Sequence, residues 1–308
     1  MTLNQLKYVL AIAREGNFGR AAEACFVSQP TLSAAVKKLE HELNVILFER
    51  RSGEVVMTPV GEMIVEHAEK ALQEAAAIRE IVTRGGDKLS APLYIGAIST
   101  VGPVLFPSLV MKLAENAPGM PLVVEEDYAS VLGEKLKQGK LDVIIVSLPY
   151  AEQGVEILPL YEEDLTVLLP SSHPLGKESA ITNEQISKQR VLLLGAGHCL
   201  RDQILRACPD CLRTTDSPDS RHTGNVEGSS LETIRYMVAS GMGITILPCS
   251  TATSCGEARG MTLVRPFADS RPTRSVVMVW RKSFPHRQIL SLVEAAIRSC
   301  MPECARPL

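Results

Sequence analysis

Beyond residue 90 the chain alternates short apolar runs with stretches of helical spacing, and few architectures accommodate that pattern. The apolar runs fall at 93–98, 122–126, 143–147, 166–169, 191–194, 244–247 and 276–280. Helical spacing fills 103–116, 130–139, 230–240 and 286–299. Runs this apolar are buried on both faces, which predicts an α/β region with mainly parallel sheets. Its roughly 215 residues suffice for two small lobes. Lobe I is expected at about 90–163 with 268–300, and lobe II at about 164–267.

The preceding residues carry a different period. Leu3, Leu6, Leu10 and Ala13 step by three and four, marking one face of a helix. A second short helix follows Gly16-Asn17, with Phe18, Ala21, Ala22 and Cys25 inward. Val27-Ser28-Gln29-Pro30 then interrupts; Ser28 suits an N-cap and Pro30 a first helical turn. The third helix steps through Leu32, Val36, Leu39 and Leu43. Two helices joined by so short a break, the second capped, match a helix-turn-helix. Residues 47–57 read as a hairpin turning at Ser52-Gly53. Thr58 and Pro59 open a long helix, and Gly85-Gly86 ends it. Along it Ile64, Ala68, Ala71, Ala75, Ile78 and Val82 form a heptad seam, which predicts a dimer through 59–83. A plain amphipathic helix packed on its own domain is the alternative. The expected organisation is an all-α winged helix-turn-helix at 1–58, a linker helix at 59–89 and an effector region at 90–308.

With 45% apolar residues the chain can build real cores. No window holds ~18 uncharged apolar residues, so no membrane span is expected. The first residues carry Lys7, Arg14 and Glu15 and lack a signal-peptide cleavage site, which points to the cytoplasm. A net charge of −3 neither demands nor forbids nucleic acid, because the local field decides. Cysteines stand at 25, 199, 208, 211, 249, 255, 300 and 304, which is no disulfide scaffold in a chain of 308 residues. Cys25 reads as packing. Cys249, Cys255, Cys300 and Cys304 receive no role, and the last two sit near a terminus expected to fray.

The run FGRAAEACFVSQPTLSAAVKKLEHELNVILFERR, followed by TPVGE, resembles the winged helix-turn-helix of LysR-type transcriptional regulators. The resemblance spans the chain in order: reader, linker helix, and an effector region of two Rossmann-like lobes akin to periplasmic binding proteins. It implies promoter DNA and RNA polymerase as partners, a homotetramer, and no enzymatic activity. The residues support a reader by themselves. Gln29, Pro30, Thr31 and Ser33 crowd the start of the third helix, where Gln can pair with adenine and Thr can meet a thymine methyl or a phosphate. Lys37 follows on the same helix, and Arg50 opens the wing. Within residues 1–60 seven basic residues face six glutamates, so binding should rest on placed cations rather than bulk charge. A dimer would read half-sites about 10 bp apart, or a multiple of that.

Most LysR-type proteins bind a small effector between their lobes. The runs at 195–203 and 228–235 instead resemble the peroxide-sensing members of the family. That resemblance puts the peroxide-reactive cysteine at Cys199, the resolving cysteine at Cys208, and pocket residues at Thr100, His198 and Asp202. It implies hydrogen peroxide as the signal, no cofactor or metal, activation of antioxidant genes, and a thioredoxin- or glutaredoxin-type reductant. One pocket hydroxyl departs from the family: Ala129 stands where a threonine is common, with Ser130 next to it. Read directly, Leu200, Ile204 and Ala207 mark a short helix with Cys199 at its N-cap, where unpaired N–H groups lower a thiol's pKa. Asp202, one turn in, could hold peroxide or shuttle a proton.

If 199–208 is helical, nine residues at ~1.5 Å each separate the two Cα atoms by about 13 Å. A disulfide needs them within about 7 Å, so the implied bond requires unwinding 200–207. Other readings stay open. Thr100 could simply cap a helix, and His198 could be structural. Cys208 could react with Cys211, or His198, Cys199, Cys208 and Cys211 could form an unusual zinc set. A LysR-type regulator with an ordinary small-molecule effector, held by Thr100 and Ser230, is the main alternative. A thiol peroxidase and a solute-binding protein come after it.

Overall fold

The computed structural model describes residues 1–51, 54–83, 91–211, 227–228, 230–253 and 260–308. The turn at Ser52-Gly53, the stop at Gly85-Gly86, Ser229 and Cys255 lie outside the described residues, as do the side chains of Arg50 and Val82. The chain divides into two compact units, Met1–Gly85 and Gly86–Leu308.

In the first unit, helices α1 (Leu3–Glu15), α2 (Phe18–Ala24) and α3 (Gln29–Leu43) precede strands β1 (Phe48–Arg51) and β2 (Glu54–Met57) and helix α4 (Pro59–Thr83). Val9, Ile12, Leu32, Val36 and Leu39 are buried together, as their helical spacing requires, and Cys25 packs against them. Each boundary has a local cause. A Thr2–Gln5 capping box starts α1, and Asn17 caps α2. The Ser28 side chain accepts the Thr31 N–H at the start of α3, and Asn44 in the left-handed region ends that helix. The Thr58 hydroxyl accepts the Gly61 N–H at 2.9 Å to start α4.

The heptad seam is divided between this unit's own core and exposed positions. Ile64 and Ala68 pack into this unit's own core with Leu72, whereas Ala71 and Ile78 are exposed. Val60 and Met63 are exposed on the same helix. The first turns of the seam hold α4 against α1.

In the second unit β3 (Leu93–Ile98), α5 (Gly102–Asn116), β4 (Leu122–Asp127), α6 (Ala129–Lys137) and β5 (Val143–Ser147) lead into the long strand β6 (Val155–Pro170). Then come α7 (Asn183–Ser187), β7 (Leu193–Leu194), α8 (Cys199–Ala207), β8 (Glu227–Gly228) and α9 (Leu231–Ala239). Strand β9 (Thr245–Pro248), α10 (Cys249–Thr253), β10 (Thr262–Arg265), β11 (Thr273–Arg281), α11 (Arg287–Ser299) and β12 (Ala305–Pro307) complete it.

Among the described residues eight strands form one sheet, in the order β10-β6-β11-β5-β3-β4, with β9 and β12 also paired to β6. Within it β3 pairs in parallel with β4 and β5, while every pairing of β6 and β11 is antiparallel. The expectation of mainly parallel sheets is therefore corrected. It failed because β6 runs far beyond the apolar segment at 166–169 that signalled it. Charged Glu162, Glu163 and Asp164 interrupt its pattern, and each finds a donor on β11 or β12. One core, with Leu93, Leu109, Ile145 and Val293, covers the first half of β6. A second, with Val167, Leu169, Leu200, Ile204 and Ile234, covers the other half. The terminus does not fray as expected: β12 pairs with β6, and Cys304 is bonded to Cys249.

Gly61 of the TPVGE run sits where α4 passes the chain entering β1, and a Cβ there would collide with the Leu47 carbonyl oxygen. Gly61→Ala should therefore destabilise the first unit by ~1–3 kcal/mol, read as a lower denaturant midpoint with an unchanged slope.

Candidate functional site

Helix α8 begins beside a small cleft lined by Ser99, Thr100, Asp127, Tyr128, Ala129, Gly197, His198 and Cys199, among others. Its free volume of ≈ 10 Å³ admits about one water-sized molecule. Thr100 comes from the turn after β3, Asp127 and Tyr128 from the end of β4, and His198 from the loop after β7. Gly197 adopts φ +94, a conformation that suits glycine, and a Cβ there would meet the Tyr128 ring at ordinary contact distance. The Tyr128 and His198 ring centroids are 4.6 Å apart.

Thr100 does not cap α5; that position belongs to Val101, which makes no side-chain cap bond. The Thr100 hydroxyl instead accepts Arg274 Nη1–H at 2.8 Å, and its carbonyl accepts Nη2–H at 3.0 Å. Arg274 also donates from Nε and Nη2 to Glu163 Oε1, at 2.9 and 2.8 Å. Both side chains of this ion pair are 0% exposed.

Cys199 occupies the first helical position of α8, not the N-cap, which is His198. Burial pushes the Cys199 thiol above its ordinary range, more than a backbone hydrogen bond and the charges of Arg274 and Arg206 pull it down. The expected fall in its pKa is thus reversed, because desolvation of a half-buried sulfur outweighs one helix terminus. Asp202 lies exposed on α8, outside the cleft lining, and its charge raises the Cys199 thiol further. Ala129 lines the cleft; Ser130 is exposed and supplies no hydroxyl to it.

Cys208 closes the far end of α8, where its N–H donates to the Ile204 carbonyl at 2.8 Å. Both Cys199 and Cys208 are free thiols, and the intact nine-residue helix that begins at Cys199 and is capped by Cys208 holds them at its two ends. Leu200 and Ile204 bury that helix in the second core. Gln203 pins it to the first lobe, donating to Ser147 Oγ at 3.1 Å and to the Leu148 carbonyl at 2.9 Å. Cys211 hydrogen-bonds Cys208, and burial pushes its thiol to about 12. The zinc set is not assembled: among the described residues His198 and Cys199 share no ligand cluster with Cys208 and Cys211, because α8 holds the two pairs at opposite ends.

On the first unit, Gln29, Pro30, Thr31 and Lys37 are exposed on α3, and Ser33 is half-buried. The Thr31 hydroxyl shares a 2.7 Å hydrogen bond with that of Ser28. Phe26, in the turn before α3 with φ 56, is 96% exposed; nothing in the spacing singled it out.

Two family profiles cover the chain. The bacterial regulatory helix-turn-helix of the lysR family matches residues 3–62, and the LysR substrate binding domain matches residues 86–301. The DNA-binding transcriptional dual regulator OxyR of Escherichia coli is 34% identical over 301 residues, covering 98% of this chain and 96% of that protein. The chain belongs to the LysR family, in its OxyR group. A hydrogen peroxide-inducible genes activator of Haemophilus influenzae is 35% identical over 96% of each chain. A full-length OxyR of Pseudomonas aeruginosa with a cysteine-to-aspartate change is 46% identical, with a TM-score of 0.69, covering 100% of this chain and 97% of that one. A peroxide-bound cysteine-to-serine OxyR of Corynebacterium glutamicum is 31% identical, with a TM-score of 0.61, over 97% and 92%. No described helix is long and apolar enough to cross a membrane.

Because the Cys199 thiol is raised, its thiolate is scarce at neutral pH. Alkylation of Cys199 by iodoacetamide should run slower than that of a free cysteine at pH 7, and its pH profile should have a midpoint above the ordinary thiol value of about 8.5.

Proposed function

We propose that this protein is a cytoplasmic, DNA-binding regulator that senses hydrogen peroxide at Cys199 and signals by forming a Cys199–Cys208 disulfide. The observation that carries this reading is the placement of Cys199 at a small polar cleft, with the Thr100 hydroxyl and His198 around it. Thiolate attack on one peroxide oxygen breaks the O–O bond and leaves a sulfenic acid; Cys208 then displaces water from it. Thr100, oriented by Arg274, hydrogen-bonds peroxide, and His198 lines its other side. Asp202 acts from outside the cleft, as a proton relay.

The two thiols cannot meet while α8 stands. With ~1.5 Å of rise per residue their Cα atoms are about 13 Å apart, well beyond the ~7 Å a disulfide tolerates. Oxidation therefore unwinds 200–207, withdraws Leu200 and Ile204 from the second core, and breaks both Gln203 bonds across the lobes. The rebuilt segment changes how effector regions pack, and with it contact with promoter DNA and RNA polymerase. A thioredoxin- or glutaredoxin-type dithiol resets the switch.

In this reading residues 1–58 form the reader, 59–89 the linker and 90–308 the effector region, with lobe borders near 163/164 and 267/268. Gln29, Pro30, Thr31, Ser33, Lys37 and Arg50 face DNA, and exposed Met63 and Ile78 on α4 contribute to a dimer that assembles into a homotetramer. A second reading, a small-molecule effector, is favoured by one observation. A cleft of ≈ 610 Å³ lies between the lobes, lined by Leu148, Tyr150, Gln203, Arg206 and Pro272 among others.

Promoter mobility-shift assays with and without peroxide separate the two readings. A peroxide-dependent shift should vanish in Cys199→Ser and in Cys208→Ser, and an undiminished oxidised conformer in Cys208→Ser would refute the disulfide. Gln203→Ala removes two hydrogen bonds that hold α8 in place, so Cys199–Cys208 closure, followed by quenched-flow mass mapping, should accelerate about tenfold.

A further inference from the structure

Cys249 and Cys304 are joined by a disulfide across 55 residues of sequence. Cys249 is 6% exposed and opens α10 directly after β9; Cys304 is half-buried and directly precedes β12. The bond thus ties the last strand of the chain to the second lobe. A ligand oxygen of buried Glu163 and both sulfurs lie within 4.8 Å of one another. Glu163 Oε2 sits 3.9 Å from Cys249 Sγ and accepts the Ser250 N–H at 3.2 Å. Its other oxygen takes two bonds from Arg274, which holds both oxygens of Thr100 at the Cys199 cleft. One carboxylate therefore touches a sulfur pair on one side and the support of the peroxide cleft on the other.

We infer that Cys249–Cys304 is a second redox site, a dithiol–disulfide couple that acts on the Cys199 cleft through Glu163, Arg274 and Thr100. The relay rests on the peroxide reading above; the couple itself does not. A regulator that reads DNA works where thiols are kept reduced, and disulfides there are transient and redox-sensing rather than permanent staples. The tail does not depend on the bond for its place. Strand β12 pairs with β6, Arg306 bridges Glu162 and Asp164, and Arg298 holds the Leu308 carbonyl. Opening the bond leaves the two thiols side by side, ready to close again. The guanidinium on Glu163 already supplies a cation to that carboxylate, which disfavours a metal between the thiols.

The oxidant is hydrogen peroxide. The Cys304 thiolate, on the accessible side, attacks one oxygen, the O–O bond breaks, and the hydroxide released takes a proton to become water. The Cys249 thiol then attacks the sulfenic sulfur, forming the S–S bond and expelling a second water. Two electrons pass from the thiols to peroxide, and both thiol protons leave in the water. A dithiol reductant reverses this by exchange at the Cys304 sulfur.

The couple changes what Glu163 presents to Arg274. As a thiol, Cys249 can donate to Oε2; as a disulfide it cannot. Closure leaves more negative charge facing Arg274, and so less positive charge for a thiolate at Cys199, which Arg274 stabilises. A closed pair therefore slows Cys199.

Two measurements on the full-length protein test this. In Cys199→Ser protein, reduced and then treated with peroxide, mass mapping should recover the Cys249–Cys304 peptide pair, and catalytic thioredoxin should remove it. A pair that resists thioredoxin, never forms with peroxide, or is replaced by Cys249–Cys255 overturns the site. The relay is read as the rate of Cys199 sulfenic acid formation. It should be about threefold or more slower with the pair closed by oxidised glutathione than with it open. Cys304→Ser should keep the open-pair rate after either treatment. Equal rates in both states overturn the relay. A Cys199 inert to peroxide in every form overturns the peroxide reading and the relay together, while the mapping in Cys199→Ser stands on its own.

Discussion

Arg274 and Glu163 are direct partners across the β11–β6 pairing, and both side chains are sealed from solvent. Burying two charges costs several kcal/mol for each ion unless every donor and lone pair is used. Here the guanidinium makes two bonds to Glu163 and two to Thr100, while the Ser250 N–H donates to the second carboxylate oxygen. The pair sits at the middle of β6, where the strand passes from one core to the other. It fixes the turn after β3 that carries Thr100, and so shapes the wall facing Cys199.

Helix α8 is placed by a different balance. Leu200 and Ile204 anchor α8 in one lobe, and Gln203 fastens it to the other. Its ends carry the two thiols, so the same turns that hold the segment also hold the sulfurs apart. Burial keeps the Cys199 thiol protonated, against the opposing pull of a backbone hydrogen bond and Arg274.

Sequence spacing located α1 to α4, the hairpin, β3, β5, α5, α9 and α11 closely, because each is set by local periodicity and caps such as Ser28 and Thr58. It missed the extent of β6, because Glu162, Glu163 and Asp164 look like loop residues until β11 and β12 neutralise them. It left the seam of α4 open between two surfaces, because a heptad pattern does not say whether the matching face is α1 or a second chain. Tyr128 and Arg274 escaped notice altogether. Arg274 lies 174 residues from Thr100, and no local motif announces that contact.

The order of reader, long helix and two-lobed effector region, and the presence of thiols at both ends of a short helix, were settled by the amino-acid sequence, since periodicity and capping act between near neighbours. The direction of the Cys199 shift, the support behind Thr100 and the meeting of Cys249 with Cys304 were decided only by the folded chain. Desolvation and long-range pairing depend on what the rest of the molecule packs around a group, and that is fixed only when distant strands close on one another.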